Sequence, residues 1–370
     1  MPDLPRTVFV LGAGASVHAG APVMKNFLDV AEDLLLGGHL DPQDAKQFRE
    51  VFKGMHGLEG SLAKASMDLR NIESVFAAFE MAELLGTGQE QVDGVKLTEA
   101  IRHLIVVTLE KTIRFFLIPG EINAGIRPTE EYSHFAAALH DIRDAGRPVS
   151  IITFNYDAAL DYAMEMERGL EFSYCLDGKE APQVHLLKLH GSLNWARWTN
   201  KEEGKDYVIP RPLGEIPADE WHHVGRTNRV TSSVGSGMKS FKPPNRPPGN
   251  THELPLIIPP TWSKREHQLQ IRNVWRFAAQ DLSQADNIFV LGYSLPETDH
   301  FFRYLFALGT MGETRIKRFL VSDPAIKRDE TLRKRFKALL GPLAAERFQC
   351  WDYTFGKAID EILSSVKRNS

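Results

Sequence analysis

The chain has 370 residues, 43% of them hydrophobic and 25% charged, which is the balance of a globular protein long enough for about two domains. Lys plus Arg number 44 and Asp plus Glu 48, a net charge of −4. That weighs against a general nucleic-acid or membrane-surface binder, and direct nucleic-acid binding is not expected. The two cysteines, Cys175 and Cys350, cannot form a four-cysteine zinc site or a disulfide framework, and they point to a reducing compartment.

Met1 to Thr7 lacks a basic stretch followed by an apolar one, so no signal peptide is expected. The apolar segment 101–118 carries Arg102, His103, Glu110, Lys111 and Arg114, too many charges to span a bilayer comfortably. A cytoplasmic location is therefore expected. The first predicted element is Thr7–Leu11, short and apolar, with a glycine turn directly after it. That is the pattern of a buried parallel strand. Similar runs recur at Val149–Thr153, Leu186–Leu189, Leu256–Ile258, Asn287–Leu291, Arg318–Val321 and Arg347–Trp351. Helical patterns lie between most of them, at Tyr156–Glu167, Glu266–Leu282, His300–Leu308 and Asp329–Leu340. Strands alternating with helices predict an α/β fold, a Rossmann-like parallel sheet with helices on both faces, spanning residues 1–370.

Two intervals interrupt this alternation. Residues 25–147 read as an inserted helical subdomain, too long for one crossover. Within it, Asn71–Leu85 places Ile72, Val75, Phe76, Phe79 and Ala82 on one stripe, and Ile101–Leu117 and Pro128–Ala145 are further helix candidates. Residues 197–255 hold eight of the 21 prolines and six of the 28 glycines, and read as an extended loop insertion. Lys239, Lys242 and Arg246 give it a basic tip, which reads more simply as a solvated loop than as a nucleic-acid contact.

The residues that could carry chemistry sit at predicted strand ends. Gly12-Ala13-Gly14-Ala15-Ser16 follows the first strand. Its glycines would let backbone N–H groups approach a phosphate, with a following helix N-terminus adding positive charge. The match to a dinucleotide fingerprint is imperfect, because Val17 stands where a third glycine belongs, and Asp29 and Asp33 lie in a helical pattern. A tight strand–helix turn explains the same glycines. Asn155 and Asp157 follow the second strand, where Asp157 reads as a helix cap and Asn155 as facing a cleft. His190 ends the next strand and precedes Gly191, as either a structural or a catalytic imidazole. Gly292 and Ser294 follow a later strand and Asp323 another, positions suited to ribose or phosphate contacts. No metal is expected: His222 and His223 are adjacent, and His185 and His190 lack a matching carboxylate or cysteine pattern. Neither a P-loop nor a Gly-x-Ser-x-Gly elbow occurs.

Taken in order, Gly12-Ala-Gly-Ala-Ser16, Gly20-Ala-Pro22, Thr153-Phe-Asn-Tyr-Asp157, Leu189-His-Gly-Ser192 and Gly292-Tyr-Ser-Leu295 resemble the motif series of sirtuins. The set is most similar to the sirtuin-like domains of bacterial anti-phage defence systems, over about residues 7–324. Two departures stand out. The four-cysteine zinc ribbon of the deacetylases is missing, and Val23-Met24-Lys25 follows Pro22 where they carry Asp-Phe-Arg. The resemblance implies an NAD⁺ glycohydrolase that depletes NAD⁺ in antiviral defence, with NAD⁺ as substrate. It implies Asn155 and His190 as the reacting pair. Gly12, Ala13, Gly14 and Ser16 would hold the pyrophosphate, with Asp157 orienting, and Gly292, Ser294 and Asp323 would hold the adenosine half. It further implies gating through a homo-oligomer or a separate partner such as a HerA-like DNA translocase ATPase or a short Argonaute. An idle NAD⁺ or ADP-ribose sensor, and a zinc-free deacylase, are the competing expectations.

Overall fold

The computed structural model describes residues 5–61, 67–86, 91–117, 126–167, 169–179, 184–212, 221–224, 231–234, 249–252, 254–258, 271–296, 299–311 and 316–368. Its centre is a sheet of seven strands: β1 (Arg6–Leu11), β2 (Val149–Thr153), β3 (Phe172–Ser173), β4 (Val184–Lys188), β5 (Ala285–Leu291), β6 (Arg318–Ser322) and β7 (Phe348–Trp351). The spatial order is β7-β6-β5-β1-β2-β4-β3, and every neighbouring pair is parallel. This is the Rossmann-like sheet expected from the alternation. After β1 the chain moves to one side for β2 to β4, then crosses to the other side for β5 to β7. Such a reversal opens a crevice at the C-terminal ends of the strands.

Both faces of the sheet are covered, so its strands are apolar almost throughout. Phe9 points to one face. It meets Phe135 of α5 (Glu130–Asp144) with ring centroids 5.0 Å apart, and Phe135 meets Phe355 of the C-terminal helix Phe355–Arg368 at 5.5 Å. On the other face the helix Arg272–Ser283 places Asp281 among the starts of three strands. Asp281 accepts hydrogen bonds from Arg6 and Ser150 at 2.6 Å and lies 2.8 Å from His185 Nδ1.

The interval 25–147 divides between two cores. Helices α1 (Phe27–Leu36), α2 (Pro42–Ser61), α3 (Ile72–Leu85) and α4 (Leu97–Thr112) bury their apolar stripes mainly on one another. The expected stripe of α3 is buried as a unit, with Val75, Phe76 and Phe79 at 0% exposure, and Asn71 caps the helix by accepting from the Glu73 N–H. Each buried phenylalanine contributes about 1.5–3 kcal/mol by leaving water. The last helix of the interval, α5, instead packs on the sheet and belongs to its core, as the crossover between β1 and β2. The helix expected over Ile101–Leu117 starts earlier and ends at Thr112, because the chain turns extended at Ile113 and forms a short strand at Phe115–Leu117.

One further expectation is corrected, and two others fall only partly on the described residues. Leu256–Ile258 is not a strand of the main sheet. It forms one antiparallel bridge, Ile257 to Gly191, and braces the loop after β4, with Ile258 N–H donating to the His190 carbonyl. Its burial under that loop explains its apolar character. The expected helix from Glu266 begins, among the described residues, at Arg272; residues 259–270 lie outside them. Among the described residues of the interval 197–255, most belong to short strands. Trp195–Asn200 pairs antiparallel with Asp206–Pro210 and Gly249–Thr251, and Trp221–Val224 and Thr231–Val234 pair with each other, the latter also with Phe115–Leu117. The Pro-rich stretch 242–248 and the basic tip of Lys239, Lys242 and Arg246 lie outside the described residues.

Candidate functional site

The parallel register brings the strand ends to one level. Leu11 pairs with Thr153 and with Leu291, Thr153 with Lys188, and Leu291 with Ser322. Gly12, Gly292 and Asp323 are therefore the first residues past their strands. Asn155 and His190 each stand two past theirs, on adjacent strands about 4.8 Å apart. Gly12, Ala13, Gly14, Asn155, Asp157, His190, Gly292, Ser294 and Asp323 all line one cleft of about 480 Å³. Its opposite wall comes from the helical layer, with Met24, Phe27, Glu73, Phe76 and Ile105. The volume and the mostly apolar lining with few polar groups are those of a small-molecule site.

The glycines serve a purpose beyond the expected one. The turn after β1 and the turn after β5 touch backbone to backbone: Gly14 N–H donates to the Gly292 carbonyl at 2.9 Å, and Gly12 N–H to the Leu291 carbonyl at 3.2 Å. A Cβ on Gly12 would lie 2.6 Å from Tyr293 Cα, and one on Gly14 2.8 Å from Gly292 Cα. Gly292 has φ +61° and a Cβ there would meet Ala15 N at 2.4 Å. Only glycine fits these contacts. Within the turn Ala15 and Ser16 donate to the carbonyls of Gly12 and Ala13, which leaves the Ala13 N–H without a hydrogen bond among the described residues. The expected helix N-terminus is absent at this point. The chain makes two short 3₁₀ turns, Ala13–Ala15 and Val17–Ala19, and no α-helix begins before Phe27.

Those 3₁₀ turns carry Ser16 inward, so it does not reach the cleft. At 0% exposure its hydroxyl donates to Asp157 Oδ2 at 2.7 Å, accepts from Asn155 Nδ2 at 2.9 Å and shares a 2.7 Å hydrogen bond with Tyr132. Ser16 therefore braces the floor from beneath and is not among the residues that line the cleft. Asn155 is anchored by the same cluster, since its Nδ2 also donates to the Gly12 carbonyl at 2.9 Å. Both amide hydrogens are thereby used, and Oδ1 is the polar atom left for a ligand. Asp157 accepts from the Ala159 N–H at the start of the next helix, Ala159–Met166, close to its expected capping role. Burial pushes its carboxyl above the ordinary carboxylate value, partly offset by Lys188, Ser16 and the Ala159 N–H.

His190 is 5% exposed and held between aromatic rings, 5.3 Å from Phe154 and 6.1 Å from Tyr156, centroid to centroid. Phe154 in turn stacks on Tyr293 at 4.3 Å, and the Tyr293 hydroxyl donates to Asp299 at 2.6 Å. Asp299 also caps the helix His300–Gly309 through Phe302 N–H. Ser294 is exposed at the rim, and Asp323 Oδ1 accepts from Ala325 N–H at 2.8 Å. Beneath the floor a buried chain of polar groups stiffens the strand ends. Lys188 Nζ donates to Asp161 at 2.8 Å and to the Asp157 carbonyl, and Tyr174 links Asp161 to Asn194. Sequence reasoning passed over Glu73, Tyr293 and Arg335, all lining the cleft. Among the described residues no three His, Cys, Asp or Glu side chains group so as to hold a metal ion, and no helix is long and apolar enough to cross a membrane.

No family model matches the chain, and no curated protein matches it in sequence. Among solved structures it is similar to a Sir2 homologue in complex with NAD, at 15% identity and TM-score 0.40 over 98% of this chain and 90% of that one. A Sir2 homologue mutant bound to ADP-ribose matches at 15% identity and TM-score 0.40, over 98% and 92% of the two chains. A structure described as giving the basis for the mechanism and regulation of Sir2 enzymes matches at 15% identity and TM-score 0.37, over 99% and 93%.

Proposed function

We propose that this chain is an NAD⁺ glycohydrolase, which cleaves the nicotinamide–ribose bond with water. The observation that carries the reading is the single cleft shared by the two interlocked glycine turns, the Asn155 amide and the His190 imidazole. Its ordered motifs are those that resemble the sirtuin series.

In this reading the Ala13 N–H, between Gly12 and Gly14, takes a pyrophosphate oxygen. Asn155 Oδ1 accepts a hydrogen bond from a ribose hydroxyl or from the attacking water. His190 accepts the proton that the water loses. Gly292, Ser294 and Asp323 contact the adenosine half, and Asp157 orients the floor through Ser16. The chemistry required is modest, because nicotinamide leaves as a neutral molecule and the protein mainly orients ribose and admits one water. Depletion of NAD⁺ would make the chain an effector in antiviral defence. Such an activity would have to be gated by self-association or by a separate partner, of the HerA-like ATPase or short Argonaute kind. The missing four-cysteine ribbon and the Val23-Met24-Lys25 that follows Pro22 weigh against deacetylation of the ribbon-bearing kind, and a zinc-free deacylase is the alternative that the test below separates.

The test is to incubate the purified chain with NAD⁺ over a range of protein concentrations and follow nicotinamide release. Release without any acyl-lysine peptide supports the proposal. Release that depends on such a peptide would make the chain a deacylase, and ADP-ribose binding without turnover would make it a sensor. Intact hydrolysis in both Asn155→Ala and His190→Ala would overturn the assigned roles.

A further inference from the structure

The hydrolysis proposed above creates positive charge on the ribose. The C1′–N bond breaks, both of its electrons go to the nicotinamide nitrogen, and the pyridinium becomes a neutral pyridine. The charge passes to the C1′–O4′ unit until water forms the new C1′–O bond and gives up a proton. The sum is NAD⁺ plus water to ADP-ribose, nicotinamide and a proton. A fixed negative charge facing that carbon would lower the barrier, and more so in an apolar cleft than in water.

The floor of the cleft does not offer one near Asn155 and His190. The Asp157 carboxylate is turned under the floor and accepts from Ser16 and Ala159. Asp299 accepts from Tyr293 and from Phe302 N–H. Asp323 stands three strands away from β2, across β1 and β5, and Asp329, on the same side, caps the helix Glu330–Lys337 through Leu332 N–H. The roof does offer one. Glu73 lies in the first turn of α3 and lines the same cleft as Asn155 and His190. Its backbone is fixed by the Asn71 cap at 2.8 Å, and its neighbours Ile72 and Phe76 are locked in the helical core. Its charge raises the hydroxyl pKa of both Tyr156 and Tyr293, second to burial itself in the case of Tyr156. The Tyr156 ring lies 6.1 Å from His190, and Tyr293 stacks at 4.3 Å on Phe154, which itself lies 5.3 Å from His190, so this carboxylate acts on the aromatic rings that surround the imidazole. Phe27, Phe76 and Ile105 surround that side of the cleft with apolar surface.

We infer that Glu73 is the carboxylate that faces the reacting ribose from the helical layer and stabilises its positive charge as nicotinamide departs. This rests on the NAD⁺ reading. It gives the helical layer a chemical duty: the sheet binds and orients, and the layer supplies the charge.

The experiment compares wild type, Glu73→Gln and Glu73→Asp for nicotinamide release and, by calorimetry, for ADP-ribose binding. Glu73→Gln keeps the shape and removes the charge, so kcat should fall about a hundredfold while KM and ADP-ribose affinity stay within threefold. Glu73→Asp should recover part of the loss. If wild type turns over and Glu73→Gln retains kcat within threefold, the inference fails and the NAD⁺ reading stands. A loss of kcat matched by equal loss of ADP-ribose affinity and melting temperature also overturns it, since Glu73 would then be structural. If wild type neither binds ADP-ribose nor releases nicotinamide, the NAD⁺ reading itself fails and takes this inference with it.

Discussion

The side-chain amide of Asn155 donates to the carbonyl of Gly12 at 2.9 Å, and this hydrogen bond ties the end of β2 to the turn after β1. One residue thus both lines the cleft and sets the shape of its floor. Replacing it has two effects that can be measured separately. Asn155→Ala should lower stability by about 1–2 kcal/mol for the hydrogen bonds lost, and lower nicotinamide release by about a hundredfold or more. Asn155→Asp keeps the size but puts a carboxylate against the Gly12 carbonyl, so it should be no more stable than the alanine variant. Thermal melts and turnover on the same samples decide this.

His190→Ala should behave differently. The ring is buried among Phe154 and Tyr156, so its loss leaves a small cavity as well as removing a proton acceptor. His190→Phe fills the space without the nitrogen atoms. It should restore most of the melting temperature and none of the activity. Equal recovery of both would remove His190 from the chemistry.

The glycine contacts predict a graded series. Gly292→Ala meets both a positive φ and a backbone atom at 2.4 Å, whereas Gly38 has φ +68° with nothing within 4 Å of a Cβ. The Gly38→Ala control should cost about 1 kcal/mol, from backbone conformation alone. Gly292→Ala should cost clearly more and should also weaken ADP-ribose binding. Similar melting temperatures for the two variants would mean that the turns part without resistance.

Lys188 and Asp161 form an ion pair at 2.8 Å with both side chains 1% exposed. Lys188→Met alone leaves a buried carboxylate without its partner and should destabilise by about 3–5 kcal/mol. Adding Asp161→Leu should recover a good part of that loss, because the remaining cost is mainly two hydrogen bonds, the one from Tyr174 to Asp161 and the one from Lys188 to the Asp157 carbonyl. Chemical denaturation of the two variants measures the difference.

At the opposite end of the strands, burial lowers the His185 pKa, but the bond to Asp281 outweighs it together with a contribution from Cys175, and the net value is pushed up to about 9. A raised histidine pKa adds stability that is complete below the unfolded value of about 6.5 and is lost as pH rises through about 9. Wild type should therefore exceed His185→Gln in stability most at pH 6, by at most about 3 kcal/mol, and the gap should close by pH 10. A gap that widens with pH would reverse the sign of the assignment.

Much of the sheet was legible because parallel strands are buried on both faces, which makes runs such as Thr7–Leu11 and Asn287–Leu291 apolar without alternation. The apolar run Leu256–Ile258 satisfied the same rule and misled, since burial under a loop produces the same composition. The strand Trp195–Asn200 was hidden by the prolines that follow it, although its alternation of buried and half-buried residues is a strand signal. The polar residues just past the strands were readable because their spacing from each strand is short. Ser16 was misplaced because two 3₁₀ turns, rather than a helix, set its direction. Glu73 was passed over because a glutamate in the first turn of a helix is already explained by the helix dipole. Only the packing of α3 over the strand ends gives it a second meaning.

The hydrogen bond from Gly14 to the Gly292 carbonyl also decides how this molecule can breathe. With two backbones in direct contact and no side chains between them, the base of the crevice is clasped at its middle. The overlying helices α1 to α4 keep a largely separate core of their own, so a shift of that layer as a unit would change the width of the crevice while leaving the clasp closed.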